Sequence, residues 1–507
     1  MATHPLLIGD VFRRNAAVVP DRIAASLGDR RFSHAQLDEA GNRLAWALRG
    51  LGIGHGDRVV SWADTSLDVL PVFVALAKLG AVFAPLNARL GPGEAADVAS
   101  LARASLLIVD PARVADAQRV AGQAGIPRIA VYPGGADSEG DGPGDLPVLD
   151  PAHYDDARDY HEPALREEDT HVIFFTSGST GRPKGVVLSH RANYLRSFQG
   201  VFRDEPEKTV CMFPLFHMAA FTLGLSAWQT RGSISFVESA SAEAILDTVQ
   251  RHLCNRIYCI PLVWNRILAV DTGRWNLSSL RELDTGTSAT PIELIQALKE
   301  RFPGTVTRIY YGSTEVGSSA SLADADVLRK PGSVGPASPG VDLELSEEGE
   351  IRCRSAYMMD GYFDDEGASA EALRDGWYYS GDLGALDDEG YLSIVGRKKE
   401  LIRSGGESVS PGEVEAALTD APGIAELAIV GVPDLDWGEV VCAVVVAEPG
   451  SSPSLADLHA HSEGQLAGFK KPRRLFRCDA LPRTAATSQV QRALLVEQIL
   501  TGVLVEE

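Results

Sequence analysis

The sequence predicts a multidomain α/β protein, and three observations carry that expectation. The chain has 507 residues, too many for one hydrophobic core and enough for three or four folding units or lobes. As far as about Ala320, short apolar runs alternate with helical stretches, the pattern of a parallel α/β layer. Beyond that the helical signals thin out, and short strands with turns take over. A last segment of roughly 110 residues from Lys398 then returns to α+β alternation.

Taken in order, FSHAQLDEAGNRLAWALRGLGIGHGDR, from Phe32 to Arg58, reads as a helix with Ser33 as N-cap and Leu37, Ala40, Leu44 and Leu48 on one face. Gly52, Gly54 and Gly56 follow a helix and precede a strand. That is the wrong context for a dinucleotide loop, so they read as a turn. Arg58 to Trp62, Ala81 to Ala84, Ser105 to Val109 and Ile129 to Tyr132 read as strands. Pro133 to Pro147, rich in Gly, Asp and Pro, reads as an exposed loop leading to a second α/β region that begins near His171. VDLELSEEGEIRCRS and GWYYSGDLGALDDEGYLSIVGR predict a β-rich lobe from about residue 325. SPGEVEAALTD, IAELAIVGVP and VVCAVVVAE predict a helix and two strands in the last segment.

The composition, 45% hydrophobic and 23% charged, is that of a globular protein. A formal net charge of −22 argues against a nucleic-acid partner or an anionic membrane surface, which select for excess Lys and Arg. It does not exclude an anionic small molecule, since oriented backbone amides and a local cation bind phosphate on an acidic protein. The six cysteines show neither a zinc spacing nor a disulfide framework. No run reaches the roughly 18 apolar residues of a membrane span, and a cytoplasmic protein is expected.

The most informative stretch is VIFFTSGSTGRPKGVVLSH, Val172 to His190, an apolar strand running into a loop of Ser, Thr and Gly and then a second apolar strand. Small residues let backbone amides converge on a phosphate. Hydroxyls of Thr176, Ser177, Ser179 and Thr180 add donors, Gly178 and Gly181 give the bend, and Lys184 supplies charge. The alternative is a plain hairpin. The run does not match the Walker pattern. It does resemble, over TSGSTGRPKG, the signature loop of the superfamily of acyl-CoA synthetases, peptide-synthetase adenylation domains and luciferases. PLNARL, FPLFH, YGSTE, YYSGD, GRKKELIRSGGESVSPGEVE and FKKPR follow in the family's order, most like an acyl-CoA synthetase.

The resemblance implies a large N-terminal domain, residues 1–396, of two α/β subdomains and a β-barrel, with a small mobile C-terminal domain, residues 397–507, hinged near 397–399. It implies ATP, Mg2+ and coenzyme A as cofactors and a small carboxylic acid as substrate. The reaction implied is acyl-AMP formation with release of pyrophosphate, then thioester formation. By the same resemblance Tyr311 stacks on adenine within Tyr311, Gly312, Ser313, Thr314 and Glu315. Thr314 contacts the α-phosphate, and Glu315, with Thr176, holds the metal. Asp382 and Arg397 take the ribose, and His217 gates the acyl tunnel. Gly286, Thr287 and Ser288 line the adenine and acyl pocket, with Thr287 and Ser288 replacing smaller or apolar members. Lys399 marks the hinge. Trp437, Phe469, Lys471 and Arg473 match positions that contact coenzyme A in some relatives; for the basic run the alternative is a solvated cluster.

One departure stands out. Where the family carries a Gly-Lys pair whose lysine serves adenylation, this chain reads LPRTAATSQVQRALL, with one extra residue, Gln489 at the lysine position and no lysine from Pro472 onward. An engineered change, a substituting cation such as Arg483 or Arg492, and lost adenylation all fit; a stalled or weakened enzyme is expected. Two other functions stay open, an acyl-AMP ligase serving a carrier protein and a non-catalytic nucleotide- or acyl-binding paralogue. The acid and the oligomeric state, a homodimer included, are left open.

Overall fold

The computed structural model describes residues 5–134, 146–177, 183–198, 205–404, 407–434, 437–463, 465–484 and 489–507. Most of the Gly/Asp/Pro-rich loop before Pro147 therefore lies outside the described residues. The chain divides into two compact units. One comprises Met1–Pro331, Ala337–Asp342 and Cys353–Tyr378; the other comprises Gly332–Pro336, Leu343–Arg352 and Tyr379–Glu507.

The first unit holds two sheets. One has seven strands in the order Gly361–Tyr362, Pro183–Ser189, Thr170–Ser177, Val82–Pro85, Arg58–Trp62, Leu106–Val109, Ile129–Val131. The early apolar runs pair in parallel as expected. The predicted helix is His34–Gly50; Ser33 and Gln36 close a capping box, and Leu37, Ala40, Leu44 and Leu48 are buried. It packs on Val69–Leu79, a helix apolar except for Lys78 and buried on every face.

One expectation is corrected here. The strand Thr170–Ser177 does not open a second α/β region: it pairs with Val82–Pro85 and completes the first sheet. The reason is that its apolar residues Val172, Ile173 and Phe174 are buried there. The second sheet begins at Lys208 and recruits the N-terminal hairpin, in the order Gly317–Leu322, Val306–Ser313, Glu282–Gly286, Arg256–Tyr258, Lys208–Cys211, Ser233–Phe236, Ile23–Leu27, Arg30–Ser33. The β-rich lobe forms, among the described residues, the strand path Ser333–Gly335, Leu392–Arg397, Trp377–Leu386, Glu350–Ser355, Val341–Leu345, which does not confirm a barrel. Charged and exposed residues along Val341–Leu345 keep that edge soluble.

The second unit also carries the sheet Glu407–Val409, Ile402–Ser404, Gly438–Ala447, Ile424–Asp434, with Arg474–Arg477 pairing in parallel to Gly438–Ala447. Its apolar faces are built by Ile429, Val441, Ala443 and Val445 on one side and Val430, Cys442 and Val444 on the other. Among the described residues no helix is long and apolar enough to cross a membrane.

His34, His171 and His190 of the first unit are buried in neutral form. His171 and His190 lie with ring centroids 4.6 Å apart. Burial pushes His190 down to about 3 and His34 to about 4, and lowers His171 well below its ordinary value. The unfolded chain takes up these protons below about pH 6.5 while the fold does not, so their contribution is complete above that pH and is lost as pH falls toward the folded values. Each of the three is expected to withdraw about 1.4 kcal/mol of stability between pH 7.5 and 5.5. Urea titrations at the two pH values check this, and His190→Gln should remove about 1.4 kcal/mol of the drop. An unchanged slope would contradict the assignment.

Candidate active site

Five strands of the second sheet, Lys208–Cys211, Ser233–Phe236, Arg256–Tyr258, Glu282–Gly286 and Val306–Ser313, run parallel. Their carboxyl ends therefore share one edge, the usual place for an α/β site. From that edge project the segment Phe213–His217, Tyr258, the turn Gly286–Ser288 and the run Tyr311–Glu315.

Gly286 pairs with Tyr310, and a Cβ there would lie 2.3 Å from the Tyr310 carbonyl oxygen and 2.6 Å from the Tyr258 hydroxyl, so only glycine fits. Thr287, at φ +68°, occupies the left-handed region that β-branched residues avoid. Its hydroxyl donates to the Gly286 carbonyl at 2.6 Å and so turns back on the backbone, while Ser288 is exposed. Holding such a residue there costs about 1–3 kcal/mol, and glycine gives back up to about 1 kcal/mol through the freer unfolded chain. Thr287→Gly is thus expected to stabilise the protein by about 1 kcal/mol in chemical denaturation. A loss of stability would show that the hydroxyl contact outweighs the strain.

Tyr311, Gly312 and Ser313 lie in a tight antiparallel hairpin with Gly317–Leu322. A Cβ at Gly312 would sit 1.9 Å from the Gly317 carbonyl oxygen. Thr314 and Glu315 form its turn and are fixed from three sides. The buried Arg196 donates to the Thr314 carbonyl at 3.1 Å and to the Tyr357 carbonyl at 2.6 Å. Met359 N–H donates to the Glu315 carbonyl at 2.6 Å, and the Tyr362 hydroxyl donates to Glu315 Oε1 at 3.1 Å. Burial pushes the Arg196 guanidinium down to about 10, so it stays charged at neutral pH.

The signature loop hangs between Thr170–Ser177 and Pro183–Ser189, an antiparallel pair in which Thr176 faces Lys184. Gly178, Ser179, Thr180 and Gly181 lie outside the described residues. The Thr176 hydroxyl is 3.5 Å from the Lys184 carbonyl oxygen, and the Lys184 ammonium sits 4.7 Å from the centroid of the Tyr362 ring. Tyr362 belongs to a short strand paired with Pro183–Ser189, and Phe363 N–H donates to the Gly185 carbonyl at 2.7 Å. The segment 357–363 thus ties the loop's outgoing strand to the Thr314–Glu315 turn. Arg196 and Tyr362 were missed in the sequence; the Gly361-Tyr362 pair, with Gly361 at φ +147°, was the signal available.

Among the described residues no three His, Cys, Asp or Glu side chains converge as a metal cage. Magnesium carried on a nucleotide needs only one or two carboxylates besides phosphates and water. Glu315, with the Thr176 hydroxyl, fits that requirement.

His217 caps the helix Met218–Gln229: its Nδ1 accepts from Ala219 N–H at 3.2 Å, which leaves the proton on Nε2. Its ring stacks on Phe213 at 5.4 Å, and burial pushes it down to about 4, so it is neutral at neutral pH. Phe213, Tyr258 and Tyr310 continue the aromatic wall, at 5.7 and 6.1 Å. Beneath it, Arg256 donates to Glu207 at 2.7 Å and to Asp284 at 2.5 Å, all three being buried. Burial raises the Asp284 carboxyl and the Arg256 charge draws it back.

In the second unit, Asp382 and Arg397 face each other across a hairpin with Arg397 Nε 3.1 Å from Asp382 Oδ1. Gly381, at φ +75°, donates to Glu350, which also holds Lys398 at 3.0 Å. Lys399 lies in the single helical turn that follows. Arg473 stacks on Trp437 at 3.8 Å, whereas Lys471 pairs with Glu463 at 2.6 Å and Phe469 packs against the core. Of the four, then, the structure brings only Trp437 and Arg473 together. Thr484 and Gln489 exchange contacts across the segment 485–488, Gln489 N–H reaching Thr484 Oγ1 at 3.1 Å. Both alternative cations are engaged: Arg483 with Glu426 at 2.6 Å, Arg492 with Glu400 at 3.0 Å and Glu415 at 2.8 Å.

Residues 12–363 match the family described as AMP-binding enzyme, and residues 413–487 its C-terminal domain. The indoleacetate–CoA ligase of Aromatoleum aromaticum is 35% identical over 93% of this chain and 94% of its own. A feruloyl-CoA synthase of Amycolatopsis is 34% identical over 93% and 95%. The ATP-bound MatB structure from Rhodopseudomonas palustris superposes with a TM-score of 0.86 at 27% identity, over 97% and 98%. The chain belongs to the AMP-binding, adenylate-forming enzyme family, and within it to the ATP-dependent acid:CoA ligases that work through an acyl-AMP.

Proposed function

We propose that the chain joins a ring-bearing carboxylic acid to coenzyme A. The convergence of Lys184 and Glu315 on Tyr362, at the strand-end edge lined by Phe213, Tyr258 and Tyr310, carries this reading. The names of the indoleacetate and feruloyl relatives support the acid class. A carboxylate oxygen of the acid attacks the α-phosphorus of ATP, pyrophosphate leaves, and the thiol of coenzyme A then displaces AMP at the acyl carbon. Lys184 and the loop Thr176–Gly181 hold the phosphates, Tyr311 stacks on adenine and Thr314 donates to the α-phosphate. Asp382 accepts from the ribose hydroxyls beside Arg397. Glu315 and Thr176 would hold magnesium, which when bound neutralises phosphate charge.

His217, neutral and stacked, gates the acyl tunnel rather than moving a proton, and Gly286 to Ser288 line it. Lys399 serves as the hinge between the domains 1–396 and 397–507, and Trp437 with Arg473 takes the adenine and phosphates of coenzyme A. Gln489 leaves adenylation short of one cation, a reading supported by the engagement of Arg483 and Arg492 elsewhere. The test is product analysis with ATP, magnesium, coenzyme A and a panel of acids. Indole- and phenylpropenoate-type acids should give AMP and acyl-CoA, with straight-chain fatty acids slower. Preference for long straight chains would overturn the acid class.

A further inference from the structure

Tyr362 touches both charged groups of the proposed nucleotide end. Its ring lies under the Lys184 ammonium at 4.7 Å and its hydroxyl donates to Glu315 Oε1 at 3.1 Å. The strand Gly361–Tyr362 fixes it on Pro183–Ser189 with register Tyr362↔Val186, and the Tyr362 N–H donates to the Ser369 hydroxyl at 2.8 Å. The ring therefore has little freedom to leave. We propose that Tyr362 is a positioning residue that engages Lys184 and Glu315 separately, one on its face and one on its hydroxyl, so that each is presented to the magnesium nucleotide instead of to the other.

The physical need is plain. A lysine and a glutamate sharing a partly desolvated pocket attract strongly, and an ion pair formed there must be broken before either can serve a ligand. An aromatic face satisfies an ammonium without neutralising it. A phenol hydroxyl satisfies one carboxylate lone pair and leaves the others open to a metal or water. One residue thereby keeps both charges available.

This rests on the assignment of Glu315 to magnesium, and the experiment separates the two. ATP binding to the full chain is measured by calorimetry without acid substrate, with and without magnesium, for the parent protein, Tyr362→Phe, Tyr362→Leu and Glu315→Gln; thermal melts confirm folding. Tyr362→Phe keeps the ring and should bind metal-free ATP as the parent does, while the gain in affinity on adding magnesium falls by about tenfold, the scale of one hydrogen bond to a charged group. Tyr362→Leu should weaken metal-free binding as well. If Tyr362→Phe matches the parent in both conditions while Glu315→Gln abolishes the magnesium gain, the tyrosine is only structural and the proposal falls. If Glu315→Gln keeps the full gain, the metal assignment fails and the proposal with it.

Discussion

Gln489→Lys is expected to raise acid-dependent pyrophosphate exchange by about 100 to 1000-fold, the usual worth of one preorganised charged donor. Adenylation brings the acid's carboxylate against the α-phosphate, and the neutral amide of Gln489 can donate a hydrogen bond without offsetting that charge. The two arginines that could replace the cation are held by Glu426, Glu400 and Glu415. The backbone contact from Gln489 N–H to Thr484 Oγ1 at 3.1 Å does not use the side chain and survives the change. Thioester formation from supplied acyl-AMP should be nearly unaffected, because the role proposed for position 489 belongs to the first step. Unaltered exchange in a folded, ATP-binding variant would mean that another group supplies the charge, or that the extra residue before Thr487 displaces position 489 by the roughly 1 Å that such chemistry does not tolerate.

Arg256→Met is expected to cost about 3–5 kcal/mol of stability, because it leaves Glu207 and Asp284 buried without their common cation. That is a large part of a typical domain's margin, about 5–15 kcal/mol. Chemical denaturation followed by tryptophan fluorescence reads it well, since the Trp264 indole N–H donates to the Asp284 carbonyl at 3.0 Å. Adding Glu207→Gln should recover part of the loss by removing one orphaned charge. A loss below about 1 kcal/mol would place the pair in the class of weak surface bridges. Activity should fall too, because Asp284 is two residues from Gly286 on the strand that ends at the site.

The elements most legible in the sequence were those whose own periodicity specifies them. The helix His34–Gly50, with its Ser33 cap and buried Leu37, Leu44 and Leu48, needs no partner to be read. Sheet membership was not legible in the same way. Thr170–Ser177 is an apolar run that fits a strand of either sheet, and only its pairing with Val82–Pro85 decides between them. The same holds for the site. Lys184, Glu315 and Asp382 stood in recognisable runs, and the structure brings Asp382 to Arg397 and relates Lys184 to Glu315 through Tyr362. Arg196 and Tyr362 stood in no such run, because their role is to hold backbone carbonyls and a carboxylate far away in sequence. Such roles depend on what the fold brings near. Phe469 and Lys471, in the same matching run, pack against the core and pair with Glu463.

The central claim, an acyl-AMP intermediate, is tested most directly by following oxygen. An acid labelled with heavy oxygen in its carboxylate is turned over with unlabelled ATP, magnesium and coenzyme A, and the nucleotide product is weighed by mass spectrometry. Attack of the carboxylate on the α-phosphorus predicts AMP carrying one labelled oxygen, with the other retained in the acyl-CoA. Unlabelled AMP, or ADP as the nucleotide product, would contradict the account.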